Sequence, residues 1–284
     1  MKKQKNSSAW MALPLYIFTI VFVICPLLYV VALSFATPNR GYGVTWKFTL
    51  DNYKNILEPV YLNTFVESLK LALTSTAAIV LIGYPFGYFM AKLPERRKKK
   101  AHLLLTIPFW VNSLIRLYGW IIILQKKGLL NFVLMKLGLI KKPLAILYSY
   151  PAIVVGMIYI LLPFMIMSVY SSAEKLDWSY VEAARDLGAS RVQAFFTVTL
   201  KLTLPGLLSG VILTFVPSMG LFFIADILGG NKIVLVGSLI QDQMTRGSNW
   251  PFAAALAVVM MVLTTVMIMI YRKVSNAREL EGIG

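Results

Sequence analysis

Cysteine and histidine are almost missing from this chain. Cys25 stands alone inside an apolar run, which excludes an internal disulfide, and His102 has no companions with which to build a metal cluster. No Gly-x-x-x-x-Gly-Lys-[Ser/Thr] stretch occurs, so the chain does not hold and hydrolyse ATP by itself in the P-loop manner. Acidic residues are scarce, 12 Asp and Glu against 28 Lys and Arg, and none sits in the middle of an apolar run. A proton- or sodium-driven carrier ordinarily places a carboxylate or a discontinuous-helix ion site at mid-membrane, so a carrier or channel working alone lacks its usual machinery. No catalytic residue, metal or cofactor is expected. The net charge of +16 invites a nucleic-acid reading, but the cations fall between apolar runs instead of lining one polar face, so no nucleic-acid partner is expected.

What is there is apolar sequence. Hydrophobic residues make up 58% and charged residues 14%, with a mean hydropathy of +0.72, which points to an all-α protein crossing a membrane several times. Six spans are predicted, at about 10–35, 64–91, 102–124, 151–172, 202–224 and 251–271, each long enough for a hydrocarbon core of ~30 Å. The first follows Lys2, Lys3 and Lys5 and exceeds the apolar length of a cleaved signal peptide, so it reads as a retained anchor. Lys and Arg are denser at one set of flanks, above all in the run Lys92-Leu-Pro-Glu-Arg-Arg-Lys-Lys-Lys100, which places both termini and that run in the cytoplasm. The run reads as a topogenic signal, with lipid headgroups as the sharper alternative. The lysines of 125–150 offend this rule, and Leu129, Leu130, Phe132, Val133, Leu134 and Leu137 predict a short amphipathic helix there on the outer face. The whole chain, 1–284, reads as a single transmembrane domain with its core at about 64–272.

The longest polar interruption runs from Ser171 to Pro205. Ser179 with Glu182 three residues on is a capping-box pattern that predicts a short helix from about Tyr180, and Gly188 is placed to end it. Ser190 with Gln193 is a second capping box, so another helix follows at once, with Val192, Phe195, Phe196 and Thr199 on one face. The prediction is helix, sharp corner, helix. Farther along, Pro205, Gly206, Gly210, Pro217 and Gly220 interrupt the fifth span, which suits either a helix lining a moving path or close helix packing. Gly83, Pro85 and Gly87 in the second span predict a kink or a close helix contact.

The run Glu182-Ala183-Ala184, then Gly188, Val198 and Leu204-Pro205, resembles the EAA loop of permease subunits of binding-protein-dependent ABC importers. In that family the loop is cytoplasmic and docks as a coupling helix into a cleft of the ATPase, here a segment of about 173–201. The resemblance implies a type I ABC importer permease (MetI-like) fold, with Glu182, Ala183, Ala184, Asp186 and Gly188 as coupling residues. Lys201 stands where the family usually has proline, so the join to the fifth span is expected to be straighter. Phe48-Thr-Leu-Asp-Asn-Tyr53 is also similar to a segment common in the family.

Pro108-Phe-Trp-Val-Asn-Ser-Leu-Ile-Arg116, Tyr159-Ile-Leu-Leu-Pro-Phe164, Tyr170-Ser-Ser172, Pro217-Ser-Met-Gly-Leu-Phe-Phe223 and Trp250-Pro-Phe252 resemble the B-type permeases of spermidine/putrescine importers. That implies as partners a second, C-type permease, two ATPase subunits and an external polyamine-binding protein, in the inner membrane of a bacterium and surrounded by its lipid. Another small solute is the alternative substrate. Aromatic faces attract ammonium groups by ~0.5 to 2 kcal/mol each, so Phe109, Trp110, Tyr159, Phe222 and Phe223 are expected along the substrate path, to which Asn112 is also assigned, with Glu67 and Asp226 as acids at its rim. Packing or interfacial anchoring is the plainer role for any one of these rings. Arg116 repels a polyamine and is expected to face a neighbouring helix or the docked binding protein.

Overall fold

The structure, a computed structural model, describes residues 13–39 and 43–281. Among the described residues six helices are long and apolar enough to cross a membrane: Leu13–Ser34, Pro59–Ala91, Ser113–Lys136, Tyr150–Ala173, Arg191–Gly220 and Trp250–Tyr271, the first to sixth spans. The N-terminal residues Lys2, Lys3 and Lys5 lie outside the described residues.

Two predicted spans are corrected, and the stretch between the fifth and sixth is found to hold helix as well. The third span does not run unbroken through 102–124. A helix Glu95–Thr106 gives way to a tight turn at Ile107–Trp110, Val111 is extended, and a new helix starts at Ser113. Pro108 brings no backbone donor and Asn112 caps the next helix, so the break is chemically encoded although the run is uniformly apolar. The fifth span begins at the corner itself, at Arg191, passing through a widened π turn at Phe195–Thr199 and running unbroken across Lys201 to Gly220. The segment 226–249 is mostly helical, with Phe222–Gly229 and Val236–Thr245 flanking a left-handed Gly230. The amphipathic helix expected near 129–137 is present as Leu129–Lys136, and the buried Asn131 amide holds its loop through Gln125 O, Leu144 O and Leu144 N.

The described residues form two compact units. One comprises those of Met1–Asn63 with Leu239–Thr265. In it Asn52, buried in the helix Asp51–Ile56, donates to the carbonyls of Ser34 and Ala36, while Tyr53 meets Ser34 Oγ at 2.6 Å and its ring lies 5.2 Å from Phe35. The Phe48–Tyr53 segment is thus the clasp that ties off the end of the first span.

The second unit comprises Thr64–Ser238 with Val266–Gly284, and it is built around the fourth span. Ile153, Met157, Leu161, Met165 and Val169 recur at helical spacing and are buried. Small residues let neighbours approach them. A Cβ on Gly87 would meet the Ile166 carbonyl oxygen at 2.7 Å, and one on Gly206 the Ser168 carbonyl oxygen at 2.7 Å. Gly206 and Gly210, four residues apart, put the fifth span flat against the fourth, where Ser168 Oγ donates to Gly206 O at 2.9 Å. These glycines of the fifth span therefore serve packing. The helix Phe222–Gly229 rests on the same core, with Ile224 and Leu228 against Gly156.

Candidate functional site

The polar interruption folds as a corner that projects from the core. Its helix, Ser179–Asp186, lies between the end of the fourth span and the start of the fifth. The expected Ser179/Glu182 capping box is replaced by a different cap: the Asp177 carboxylate accepts from Ser179 N at 3.0 Å. That bond holds the Asp177 carboxyl below its ordinary range. Both residues are capping types two positions apart, and the acceptor carrying full charge, placed at the positive end of the helix, takes the site.

The exit of this helix matches the prediction in detail. Gly188 has φ +91°, its N–H bonds to Arg185 O at 2.9 Å, and Ala189 N–H reaches back to Ala184 O at 3.1 Å. This is a Schellman closure, which needs a left-handed residue that glycine supplies without strain. The second capping box is also present. Ser190 N donates to Gln193 Oε1 at 2.9 Å and Gln193 N to Ser190 Oγ at 3.3 Å. Two caps back to back reverse the chain within Leu187–Ser190.

What the corner offers to a partner is unspent. Glu182 and Asp186, four residues apart and so on one face, are exposed and have no ion-pair or side-chain hydrogen-bond partner among the described residues. Ala183 is exposed and Ala184 half-buried. With Arg185 and Arg191 the two acids line a shallow groove of about 520 Å³. Leu187 is 90% exposed, and Val192 and Phe196, on the helix that follows, are exposed as well. A bare leucine on a rigid, water-facing corner is an apolar anchor awaiting a pocket. Sequence reasoning missed it, although a leucine directly before the capping glycine was a readable signal.

The residues expected to line a substrate path fall into two groups. Around the break in the third span, Phe109 lies 5.6 Å from Phe164 and Tyr159 lies 5.5 Å from Trp120. The Arg116 guanidinium sits 5.9 Å from the Phe109 ring and 5.4 Å from that of Tyr159. Both rings therefore already hold a cation belonging to the protein, which answers where Arg116 turns. Asn112 Oδ1 caps its helix by accepting from Leu114 N at 2.8 Å, and Trp110 is 75% exposed.

The second group is Phe222, Phe223 and Asp226 on the helix Phe222–Gly229. Its two rings are 6.3 Å apart, and Asp226 accepts from Ser238 Oγ at 3.0 Å. No ring contact joins the two groups among the described residues. Glu67 is paired with Lys70 at 2.7 Å. Its charge is thereby locally balanced, which weakens it as a rim acid.

Comparison with known proteins follows the same lines. The family described as "Binding-protein-dependent transport system inner membrane component" matches residues 6–279. The chain is 44% identical over 257 residues to the spermidine/putrescine transport system permease protein PotB of Salmonella typhimurium (strain SL1344), covering 90% of each chain. It is 43% identical to PotB of Escherichia coli (strain K12), covering 90% of this chain and 94% of that one. In fold it is similar to a chain of a bacterial alginate ABC transporter crystallised in complex with an alginate pentasaccharide-bound periplasmic protein. The TM-score is 0.73 at 16% identity, over 97% of this chain and 96% of the other.

Proposed function

This chain belongs to the binding-protein-dependent transport system inner membrane component family, and from that premise we propose that it is the permease subunit of an ABC importer for spermidine and putrescine. It is a multi-pass inner-membrane transport subunit with an all-α importer-permease fold, and ATP hydrolysis belongs to a separate chain. The polyamine assignment rests on identity to PotB over nine-tenths of the chain. We place both termini and the corner in the cytoplasm, treat residues 1–284 as one transmembrane domain with its core at about 64–272, and assign as partners a second permease subunit, two ATPase subunits and an external polyamine-binding protein.

The observation that carries the coupling role is the corner at Ser179–Ser190. It is rigid through two interlocked caps, it projects, and it keeps Glu182, Asp186 and Leu187 without partners of their own. An acidic edge accepts hydrogen bonds from a basic cleft while the leucine fills a pocket. Glu182, Ala183, Ala184, Asp186 and Gly188 are assigned to this contact, and Leu187 is added to them.

The substrate path is redrawn from the geometry. Phe109 and Tyr159 act through the Arg116 guanidinium they hold, and Asn112 acts as a cap. That leaves the rings of Trp110, Phe222 and Phe223 to meet an ammonium group directly, with Asp226, which also accepts from Ser238 Oγ, contributing its charge beside them. The test is copurification of the assembled complex followed by uptake in proteoliposomes with competitors. Spermidine and putrescine should compete and a neutral sugar should not; competition by the sugar, or indifference to both amines, would overturn the polyamine reading.

A further inference from the structure

The basic run 92–100 does more than mark a membrane side, because two of its lysines engage side chains from other parts of the fold. Lys92 directly follows the second span, and its Nζ lies 4.4 Å from the Tyr88 ring centroid and 4.6 Å from that of Trp178. Trp178 is the residue immediately before the corner helix. Tyr88 also meets Trp178 edge-on at 5.8 Å and Phe195, on the far side of the corner, at 5.7 Å. Tyr84, one turn deeper, contacts Phe195 at 5.9 Å and shares a hydrogen bond of 2.8 Å with Thr203. The inner end of the second span is thereby fastened to the chain entering the corner and to the chain leaving it.

Lys98 adds a second fastening. Only 15% of its side chain is exposed, and its Nζ lies 3.2 Å from Glu95 and 3.2 Å from Glu174, at the end of the fourth span. By contrast Arg96, Arg97, Lys99 and Lys100 are exposed and have no side-chain partner among the described residues. A uniform topogenic run has no reason to divide in this way.

We propose that Lys92, held between Tyr88 and Trp178, is a positioning residue that locks the corner helix to the second span, so that displacement of Ser179–Asp186 by the ATPase is passed into that span. This rests on the coupling role assigned above. The ammonium is the element that holds the two rings together. Its attraction to them is electrostatic, so an uncharged chain of similar length leaves the rings in loose contact, whereas a guanidinium restores the attraction.

The experiment measures ATP hydrolysed per polyamine imported by the assembled, reconstituted complex. Lys92→Met removes both ring–cation contacts and should raise that ratio by about threefold or more, the least that the loss of even one such contact would give, with the ATPase still bound. Lys92→Arg should return it close to the parent value. An unchanged ratio in Lys92→Met, or equal damage from Met and Arg, would overturn the proposal. If Lys92→Met does not assemble, Trp178→Phe, which keeps a smaller ring under the ammonium, should give an intermediate ratio, and a parent ratio there overturns the proposal equally. Leu187→Asp separates the two assignments, since it strikes the docking tip and should release the ATPase. Normal coupling in that variant defeats the docking role itself, while failure of the Lys92 series alone leaves docking intact.

Discussion

Two breaks in the chain, the corner at 187–190 and the gap at 107–112, are built from the same parts and come to opposite ends. Each interrupts a helix, each restarts it with a side-chain cap, Ser190 in one and Asn112 in the other, and each lies beside a cation held by two aromatic rings. In both cases the two rings belong to different elements, so each contact joins segments far apart in sequence, and at the corner the cation is the exposed Lys92. At the gap the cation is Arg116, in the first turn of Ser113–Leu124, with its Nε buried and without a hydrogen-bond partner. Both arrangements join elements, but the second does so with a cation whose Nε is held in an unfavourable place. Aromatic density near a cation pathway is therefore no direct sign of substrate, because the protein's own cations occupy the rings first.

The largest expected effect lies at the corner. Gly188→Val forces a β-branched side chain to φ +91°, a conformation it strongly resists. The space around Gly188 is open, so the cost is backbone strain alone, ~1 kcal/mol or more, and the chain escapes it by opening the Schellman closure. Import should fall at least tenfold while the ATPase runs uncoupled or detaches. Normal import with normal stimulation of hydrolysis would remove the corner from the mechanism and erase its contrast with the gap.

How much of this was legible in the residues differs between the two breaks for a physical reason. The corner's signals are local: a glycine that must be left-handed, and a serine and glutamine three apart, act within one turn, and they were read correctly. The Ser179 cap was misread because Asp177, two residues earlier, competes for the same role, and local pattern does not rank the two. The gap escaped because Pro108 and Asn112 sit in an apolar run whose hydropathy is continuous, and the π turn at Phe195–Thr199 carried the fifth span back to Arg191 without any breaker. The partners of Lys92, Lys98 and Arg116 escaped for another reason. Trp178, Glu174 and Tyr159 lie tens of residues away, and only packing of the fourth span brings them near.

A middle-sized effect is expected at the gap. Arg116→Met removes a buried, unpaired Nε–H that costs ~1 to 3 kcal/mol, and a cation at the positive end of a helix that costs a further ~0.3 to 1. Against this stands loss of ring contacts worth ~0.5 to 2 kcal/mol, partly replaced by thioether–aromatic contact. The balance favours methionine by about 1 kcal/mol, so the purified complex should melt a few degrees higher. Import is expected to change at the same time, because a cation has left the aromatic group. A lower melting temperature would mean that the Arg116–ring contacts outweigh the burial cost, and that the two breaks are fastened alike.

The smallest effect concerns the second fastening of the corner, at Glu174. The hydrogen bond from Tyr170, and then that from Lys98, hold the Glu174 carboxyl below its ordinary value, while Glu95 and Glu174 together raise the Lys98 ammonium above its own. A depressed carboxylate contributes stability that is complete above the ordinary carboxylate value of 4.5 and is lost as pH falls through the lower, folded value. A raised lysine contributes stability that is complete below 10.5 and is lost as pH rises through the higher, folded value. Between those limits the fastening is constant, so pH should have no influence on it near neutrality. Glu174→Gln keeps an acceptor for Tyr170 but removes the charge opposite Lys98. The melting temperature of this variant should lie slightly below the parent's at pH 7, and the two should converge as pH falls below 4.5 and through the parent carboxylate's lower, folded value. The gap at Arg116, which has no carboxylate partner among the described residues, offers no such convergence, and Arg116→Met should keep its offset across the same range. A Glu174→Gln offset that stays constant down to acid pH would show that the Lys98–Glu174 pair adds nothing to the corner, leaving the rings around Lys92 as its only fastening to the basic run.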